Sequence, residues 1–202
     1  YLLKGNVKSI FKDEEFRFYI GTYVVAVLII TINITGPIFG SAWESLRYAT
    51  FQASTIMSTT GYSTTDFNPW PTLSKAILVL LMFIGSCAGS TAGGLKCIRI
   101  IVLSKTIKRE IRKVIHPRSV YAVKSGGKSL DESVLTGVSA FFFTYVAIFT
   151  IACIIIAFNG KDLITTFTSV VASISNIGPG LGAVGPYGSY ADFSTLSKYV
   201  LS

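Results

Sequence analysis

The chain has 202 residues, of which half are hydrophobic and only 14% are charged, whereas about a quarter of residues are charged in an ordinary soluble domain. Its net charge is +8, and ten of its eighteen Lys and Arg residues fall between Lys96 and Lys128. This composition favours a membrane protein. The single histidine rules out a plausible Ser-His-Asp set, so we do not expect an enzyme.

The first long uncharged stretch follows a charged N-terminal segment, residues 1–15. Residues 18–36 supply the roughly 20 apolar residues that are needed to cross a hydrocarbon core about 30 Å thick. We therefore expect a cytoplasmic segment at 1–15 and, within a first repeat at 16–103, a membrane span at 18–36.

A shorter, semi-apolar segment comes next, at residues 42–57. As a helix it would reach only about 24 Å, and Glu44, Arg47 and Gln52 interrupt its apolar face. The preceding letters Ser41-Ala42-Trp43-Glu44 fit a capping box, which predicts a helix start here. The segment cannot cross the membrane, so we expect a re-entrant pore helix that enters and returns on the outer side.

The polar run STTGYSTT, residues 58–65, follows this helix. Non-helical backbone at membrane depth persists only where protein or water satisfies its peptide groups. Its carbonyl oxygens could replace the hydration shell of a cation, and Gly61 would allow the backbone angles that turn them inward. The pattern predicts a filter strand at 58–65.

A second hydrophobic stretch, residues 73–103, is interrupted by the small-residue run GSCAGSTAGG at 85–94. Glycines at four-residue spacing are typical of close packing between membrane helices. Adjacent glycines and a Ser-Thr pair favour instead a helix broken at mid-membrane. The residues alone leave both interpretations open.

The basic segment 104–132 lies between predicted spans, so the positive-inside rule makes it a cytoplasmic loop rather than a nucleic-acid site. Its letters KTIKREIRKVIHPRSV predict an amphipathic helix that ends at His116-Pro117. Such a helix could contact anionic membrane lipid or a cytosolic partner. For Lys96 and Arg99, at the end of the glycine run, we expect side chains that extend to the cytoplasmic interface, with an electrostatic role below the pore as the alternative.

The same order of segments then recurs in a second repeat at 133–202. A span is expected at 134–158, a pore helix at 161–174, a filter at 175–182 and the start of a last span at 195–202. In both halves the letters TLSK follow a glycine-bearing polar kink and open an apolar run. We therefore expect an all-α membrane protein of repeated helix–pore loop–helix units of potassium-channel-like architecture, with a broken second helix in the first unit.

The paired loops TTGYST and NIGPGLG, together with GSCAGSTAGGLK, resemble the Trk/Ktr/HKT superfamily of potassium transporters, closest to its TrkH membrane subunits. The resemblance covers essentially the whole chain and implies the third pore repeat and most of the fourth. It implies that K⁺ is the transported ion, without a bound organic cofactor, and that filter carbonyls bind it. The implied filter residues are Thr59, Thr60, Gly61, Tyr62, Asn176, Ile177, Gly178 and Pro179.

The resemblance also implies that the glycine-rich segment is an intramembrane gate beneath the filter. The gate residues are then Gly85, Ser86, Gly89, Ser90, Thr91, Gly93 and Gly94. It further implies a homodimer, a cytosolic nucleotide-binding regulatory subunit and a location in the bacterial plasma (inner) membrane. The alternatives are a secondary transporter in which discontinuous helices flank a midplane substrate site, and a membrane anchor that transports nothing.

Overall fold

The computed structural model describes residues 11–116, 122–126 and 128–202. Within these ranges it contains seven α-helices, one short 3₁₀ turn at Gly182–Val184 and one hairpin of two-residue strands, β1 (Lys124–Ser125) and β2 (Lys128–Ser129). The helices are α1 (Glu14–Ile34), α2 (Ala42–Met57), α3 (Thr72–Phe83), α4 (Cys97–Ile115), α5 (Glu132–Ala157), α6 (Leu163–Ile174) and α7 (Thr195–Leu201).

Two helices, α1 and α5, are long and apolar enough to cross a membrane, judged by length and composition. At 1.5 Å per residue they measure about 32 Å and about 39 Å. Large apolar side chains are exposed along both, among them Leu28 and Ile32 on α1 and Phe143 and Ile151 on α5. Such faces suit contact with lipid chains or with other membrane helices.

Each long helix is followed by a short one that packs against it, α2 on α1 and α6 on α5. The expected capping box at the start of α2 is wrong: Ser41 is the N-cap residue, but its side chain forms no capping hydrogen bond in the described structure. Glu44 lies in the first turn, where its charge still complements the helix dipole. In α6 the N-cap is made by Asp162, whose carboxylate accepts a hydrogen bond from the Thr165 amide at 3.1 Å.

The repeated letters TLSK start a helix in both halves, at Thr72 and at Thr195. The serine of each repeat is fully buried and bonds to an asparagine at the end of the preceding long helix. Ser74 Oγ donates to Asn33 Oδ1 at 2.7 Å, and Asn159 Nδ2 donates to Ser197 Oγ at 2.5 Å. The repeated serine thus ties the helix that TLSK opens to the long helix of the same unit, next to the asparagine near the C-terminal end of the long helix.

The lysine of each TLSK repeat also makes the same contact in both halves. Lys75 Nζ donates to the carbonyl of Asn68 at 3.1 Å, and Lys198 Nζ donates to the carbonyl of Ala191 at 2.6 Å. Each lysine therefore reaches back seven residues and holds the loop that leads into its own helix.

The second hydrophobic stretch of the first unit is a broken helix. Helix α3 ends at Phe83, residues 84–96 are not helical, and α4 begins at Cys97. Helix α4 runs without interruption to Ile115, so the expected boundary between repeat and basic loop at residue 103 falls inside a helix. Pro117, the expected helix stop, lies outside the described residues.

The two units are joined behind their polar loops by one hydrophobic core. The largest buried cluster contains Ile30, Ile56 and Leu78 from the first unit, and it takes in Val171 and Ile177 from the second. At the opposite end, Arg109 of α4 pairs with Glu132 at the start of α5, with Nη1 2.5 Å from Oε1. The polar loops after α2 and α6 are thereby fixed next to each other.

Candidate ion-conducting site

The polar loops after α2 and α6 share one backbone conformation. Thr59 and Asn176 have φ values of 55° and 53°, and the glycines two residues further on, Gly61 and Gly178, have φ values of 79° and 106°. In a regular strand, successive carbonyls point to opposite sides. Alternation of positive and negative φ turns successive carbonyls towards the same side, which is the arrangement that an ion-binding strand needs.

Hydrogen bonds at the ends of both helices explain the positive φ values. Thr59 N donates to Ile56 O at 3.1 Å and Thr60 N donates to Thr55 O at 2.9 Å. Asn176 N and Ile177 N make the equivalent bonds, to Ser173 O at 3.0 Å and to Ala172 O at 2.8 Å. This pair of bonds is the Schellman motif, in which the residue after the C-cap is left-handed. The amides are turned back to the helix, so the loop carbonyls are left free to face away from it.

Thr59 is an unusual residue for this left-handed position, because a β-branched side chain crowds the backbone there. Thr59→Gly is expected to raise the apparent melting temperature of the full-length transporter in detergent. The relief of the left-handed penalty, about 1–2 kcal/mol, should outweigh the entropy cost of glycine, about 0.5–1 kcal/mol. Asn176→Gly is the matched control and should change the melting temperature less, since Asn tolerates this conformation. A lower melting temperature for Thr59→Gly would contradict the assignment of strain.

The two loops meet at Gly61. A Cβ atom on Gly61 would overlap the carbonyl oxygen of Ile177 and lie 3.4 Å from Cδ of Pro179. Ile177 belongs to the largest buried cluster and is only 4% exposed, so this residue can face an ion only through its backbone. Only glycine allows the two strands to approach this closely.

The other expected filter side chains are mostly on the surface of the described structure. Tyr62 is 72% exposed, and Thr60, Asn176 and Gly178 are exposed as well. Thr59, Gly61 and Pro179 are half-buried. Tyr62 therefore does not pack behind the strand as a support.

Behind the first loop lies a fully buried amide, Gln52 of α2. Its Nε2 donates to the carbonyl of Thr65 at 3.3 Å, which fixes the outer end of the polar run. Its Oε1, the hydroxyl of Ser63 and the indole nitrogen of Trp70 are buried without a partner among the described residues. Unpaired buried polar groups commonly bind ordered water, so this region can hold water that braces the strand.

The second loop is fixed at its C-terminal end by a residue of the first unit, Asn68. Its Oδ1 accepts from the Gly182 amide at 2.9 Å and its Nδ2 donates to the Gly182 carbonyl at 3.2 Å. Two threonines of α6 also bond to this loop. Thr165 Oγ1 accepts a hydrogen bond from Ala183 N at 3.0 Å, and Thr168 Oγ1 accepts one from Leu181 N at 2.9 Å.

A carboxylate lies at this same end of the second loop, near Gly182. A hydrogen bond with the Thr165 side chain, and then the one from the Thr165 amide, hold the pKa of the Asp162 carboxyl below its ordinary value, so the group stays ionised at the start of α6. A negative charge is thus kept near Gly182, at the C-terminal end of the second loop.

The glycine-rich segment between α3 and α4 lies against the N-terminal end of both loops, where α2 and α6 end. A Cβ on Gly93 would overlap the backbone of Ser175, the C-cap of α6, and one on Gly94 would lie 3.3 Å from Ser175 Oγ. Ser86 Oγ donates to the carbonyl of Met57, the last residue of α2, at 3.1 Å. Of the expected gate residues, Gly85 is buried and Ser86, Gly93 and Gly94 are half-buried at the base, whereas Gly89, Ser90 and Thr91 are exposed at the tip.

Charged side chains hold this segment in place. Lys96 Nζ donates to the carbonyls of Ser90, at 2.8 Å, and of Ala92. Glu15 Oε1 of α1 accepts from the amides of Ala88, at 2.7 Å, and Ile98, at 3.1 Å. Lys96 therefore folds back over the loop, which differs from the expected extension towards the interface.

Arg99 contacts an aromatic ring of the second unit. Its guanidinium lies 3.8 Å from the centroid of the Phe141 ring. A cation over an aromatic face is attracted by the ring quadrupole, and this contact joins α4 to α5.

Among the described residues no group of three or more His, Cys, Asp or Glu side chains could hold a metal ion. Three features lie together here. They are the two loops with residues at positive φ, the C-terminal ends of α2 and α6, and the glycine-rich segment. This arrangement defines the class: an all-α membrane protein built from helix–pore loop–helix units.

Comparison with known proteins agrees with this class and defines the family. Residues 18–202 match the family described as TrkH, cation transport protein, and the chain belongs to that family. It is 38% identical to the Trk system potassium uptake protein TrkH of Salmonella typhimurium and 37% identical to that of Escherichia coli strain K12. Each alignment covers 99% of this chain and 41% of the relative, so the chain spans about two fifths of the length of these relatives.

The crystal structure of the potassium transporter TrkH from Vibrio parahaemolyticus has the same fold. It superposes with a TM-score of 0.85 at 36% identity and covers 96% of this chain and 42% of that one. The expected fold class, repeated helix–pore loop–helix units with a broken second helix, is confirmed. The chain is an integral membrane protein of a transporter family rather than of an enzyme family.

Proposed function

We propose that this chain forms two of the pore-lining units of a bacterial plasma-membrane potassium transporter. The observation that carries the proposal is the pair of loops with matching positive φ values, at Thr59 and Gly61 and at Asn176 and Gly178, which meet where Gly61 contacts Ile177. The relatives are named as potassium uptake proteins, which supports K⁺ as the transported ion.

In the proposed mechanism, K⁺ loses its hydration water at the outer mouth and is coordinated by backbone carbonyls. Those of Thr59, Thr60, Gly61 and Tyr62 act in the first unit, and those of Asn176, Ile177, Gly178 and Pro179 in the second. Helices α2 and α6 direct their C-terminal ends at the same place, and each end carries roughly half a negative charge. Carbonyls and helix ends together favour a cation over an anion.

Two strands cannot enclose an ion by themselves. The proposal divides the chain into a repeat at 16–103, a cytoplasmic loop at 104–132 and a repeat at 133–202, and further repeats would complete the ring of carbonyls. An exposed apolar surface of α2 beside the filter loop supports the presence of further repeats. On it, Trp43 is 77% exposed and Phe51 is 39% exposed.

The glycine-rich segment Gly85–Gly94 is the proposed gate. It lies against the C-terminal ends of both pore helices, through Ser86 on Met57 and Gly93 on Ser175, and its tip is exposed. Displacement of the tip would open the inner side of the filter. A cytosolic nucleotide-binding partner and a second copy of the transporter are the proposed sources of such a movement.

The test is uptake of rubidium, sodium and choline into proteoliposomes that contain the full-length transporter. We expect rubidium uptake that potassium inhibits and that excludes choline. Uptake that saturates and depends on a coupled second substrate would favour the secondary transporter instead. No uptake of any cation by folded protein would overturn the proposal and favour a membrane anchor.

A further inference from the structure

A tyrosine outside the filter forms a hydrogen bond with one of the filter carbonyls. Tyr190 Oη donates a hydrogen bond to the carbonyl oxygen of Gly178 at 2.7 Å. Tyr190 lies twelve residues further along the chain, in the outer loop that leads into α7. The bond therefore joins the outer loop directly to the proposed ion-coordinating strand.

The tyrosine ring is itself firmly placed. Its centroid lies 5.7 Å from that of Phe193, which is 4% exposed and belongs to a buried cluster with Ile156, Val170 and Val184. The adjacent residue, Ala191, accepts a hydrogen bond from Lys198 of α7 through its carbonyl. An anchored ring can fix the direction of the group to which its hydroxyl is bonded.

The two filter glycines differ in what surrounds them. A Cβ on Gly61 would overlap the carbonyl of Ile177, so packing holds the backbone at that point. A Cβ on Gly178 would meet nothing within 4 Å among the described residues, and φ there is 106°. No packing by the described residues at the Cβ position restrains Gly178, and glycine tolerates a wide range of backbone angles, so the hydrogen bond from Tyr190 acts as a restraint on its carbonyl.

We propose that Tyr190 is a positioning residue that fixes the direction of the Gly178 carbonyl and thereby sets the preference for potassium over sodium. This inference rests on the proposed function. A carbonyl oxygen has two lone pairs, so the hydroxyl can occupy one and leave the other for an ion. Selectivity depends on the number and field of the coordinating carbonyls, so loss of the hydrogen bond alters the site without any change in a side chain that touches the ion.

The test is Tyr190→Phe in the full-length transporter, which removes the hydroxyl and keeps the ring on Phe193. The ratio of rubidium to sodium uptake is expected to fall about five-fold, the equivalent of about 1 kcal/mol, which is the usual net value of one hydrogen bond. Tyr187→Phe is the matched control, because Tyr187 lies in the same loop, is 76% exposed and should leave the ratio unchanged.

The outcomes separate this inference from the function on which it rests. If the wild type accumulates rubidium and Tyr190→Phe keeps the wild-type ratio, the positioning role is wrong and the transport function stands. If the wild type accumulates no rubidium, both are overturned. If Tyr190→Phe does not fold, 3-fluorotyrosine at position 190 keeps the ring and makes the hydroxyl a stronger donor. The ratio of rubidium to sodium uptake should then change when 3-fluorotyrosine is at position 190 and not when it is at position 187. Equal ratios for the two positions would overturn the inference.

Discussion

Gly61→Ala is expected to abolish selective rubidium uptake by the full-length transporter. Two costs add at this position. The φ of 79° carries a penalty of about 1–2 kcal/mol for a residue with a Cβ, and the new methyl group overlaps the Ile177 carbonyl. Since that oxygen is a proposed ligand for the ion, the methyl group has to displace either the first strand or the coordinating atom of the second. We expect loss of both rate and selectivity, measured as rubidium and sodium uptake.

Gly178→Ala and Gly137→Ala distinguish the two costs. At Gly178 the left-handed penalty remains, but there is open space for a methyl group among the described residues, so a partial loss of uptake is expected. Gly137 lies inside helix α5 with nothing within 4 Å of a new Cβ. Alanine there should stabilise the helix by up to about 1 kcal/mol and leave uptake unchanged. Wild-type selectivity in Gly61→Ala would contradict the assignment of this glycine to the filter.

The order of helices and loops in this chain is visible in its sequence because charge and length limit the possibilities. An uncharged stretch such as 134–158 has to be a span, and a sixteen-residue segment that contains Glu44 and Arg47 cannot be one. The repeated TLSK also indicated two equivalent helix starts. Its physical reason, a buried serine bonded to an asparagine at or just after the end of the preceding long helix, is visible only in the structure.

The contacts that shape the loops could not be predicted in the same way, because they join residues far apart in the chain. Asn68 and Gly182 are separated by 114 positions, and no local pattern marks their two hydrogen bonds. The capping box failed for a related reason: the letters SAWE allow a Ser41 cap without requiring it. Lys96 was misplaced because a lysine near a membrane interface usually extends towards water, whereas here the backbone carbonyls of a neighbouring loop are within reach.

Lys96→Met is expected to raise basal rubidium uptake by about ten-fold in the full-length transporter. The ammonium group bonds to the carbonyls of Ser90 and Ala92, and a hydrogen bond to a charged group contributes about 1.5–3 kcal/mol. Since these contacts hold the exposed tip of the glycine-rich segment, their loss shifts the equilibrium towards a displaced tip. The methylene stem of lysine is kept approximately by methionine, so packing around Cys97 at the start of α4 changes little.

A point substitution is a sharper test of gating than removal of the whole segment. Deletion of Gly85–Gly94 should also raise basal uptake, but it removes the packing of Gly93 on Ser175 as well, so a filter defect and an open gate would be confounded. Lys108→Met, within helix α4 and away from the loop, is the control for the loss of one positive charge. If Lys96→Met and Lys108→Met give the same basal uptake as the wild type, the glycine-rich segment serves close helix packing, since the freed tip then obstructs nothing. Increased uptake in Lys96→Met alone, with rubidium still preferred over sodium, would mean that the segment closes the pore and that the filter above it is independent of the gate.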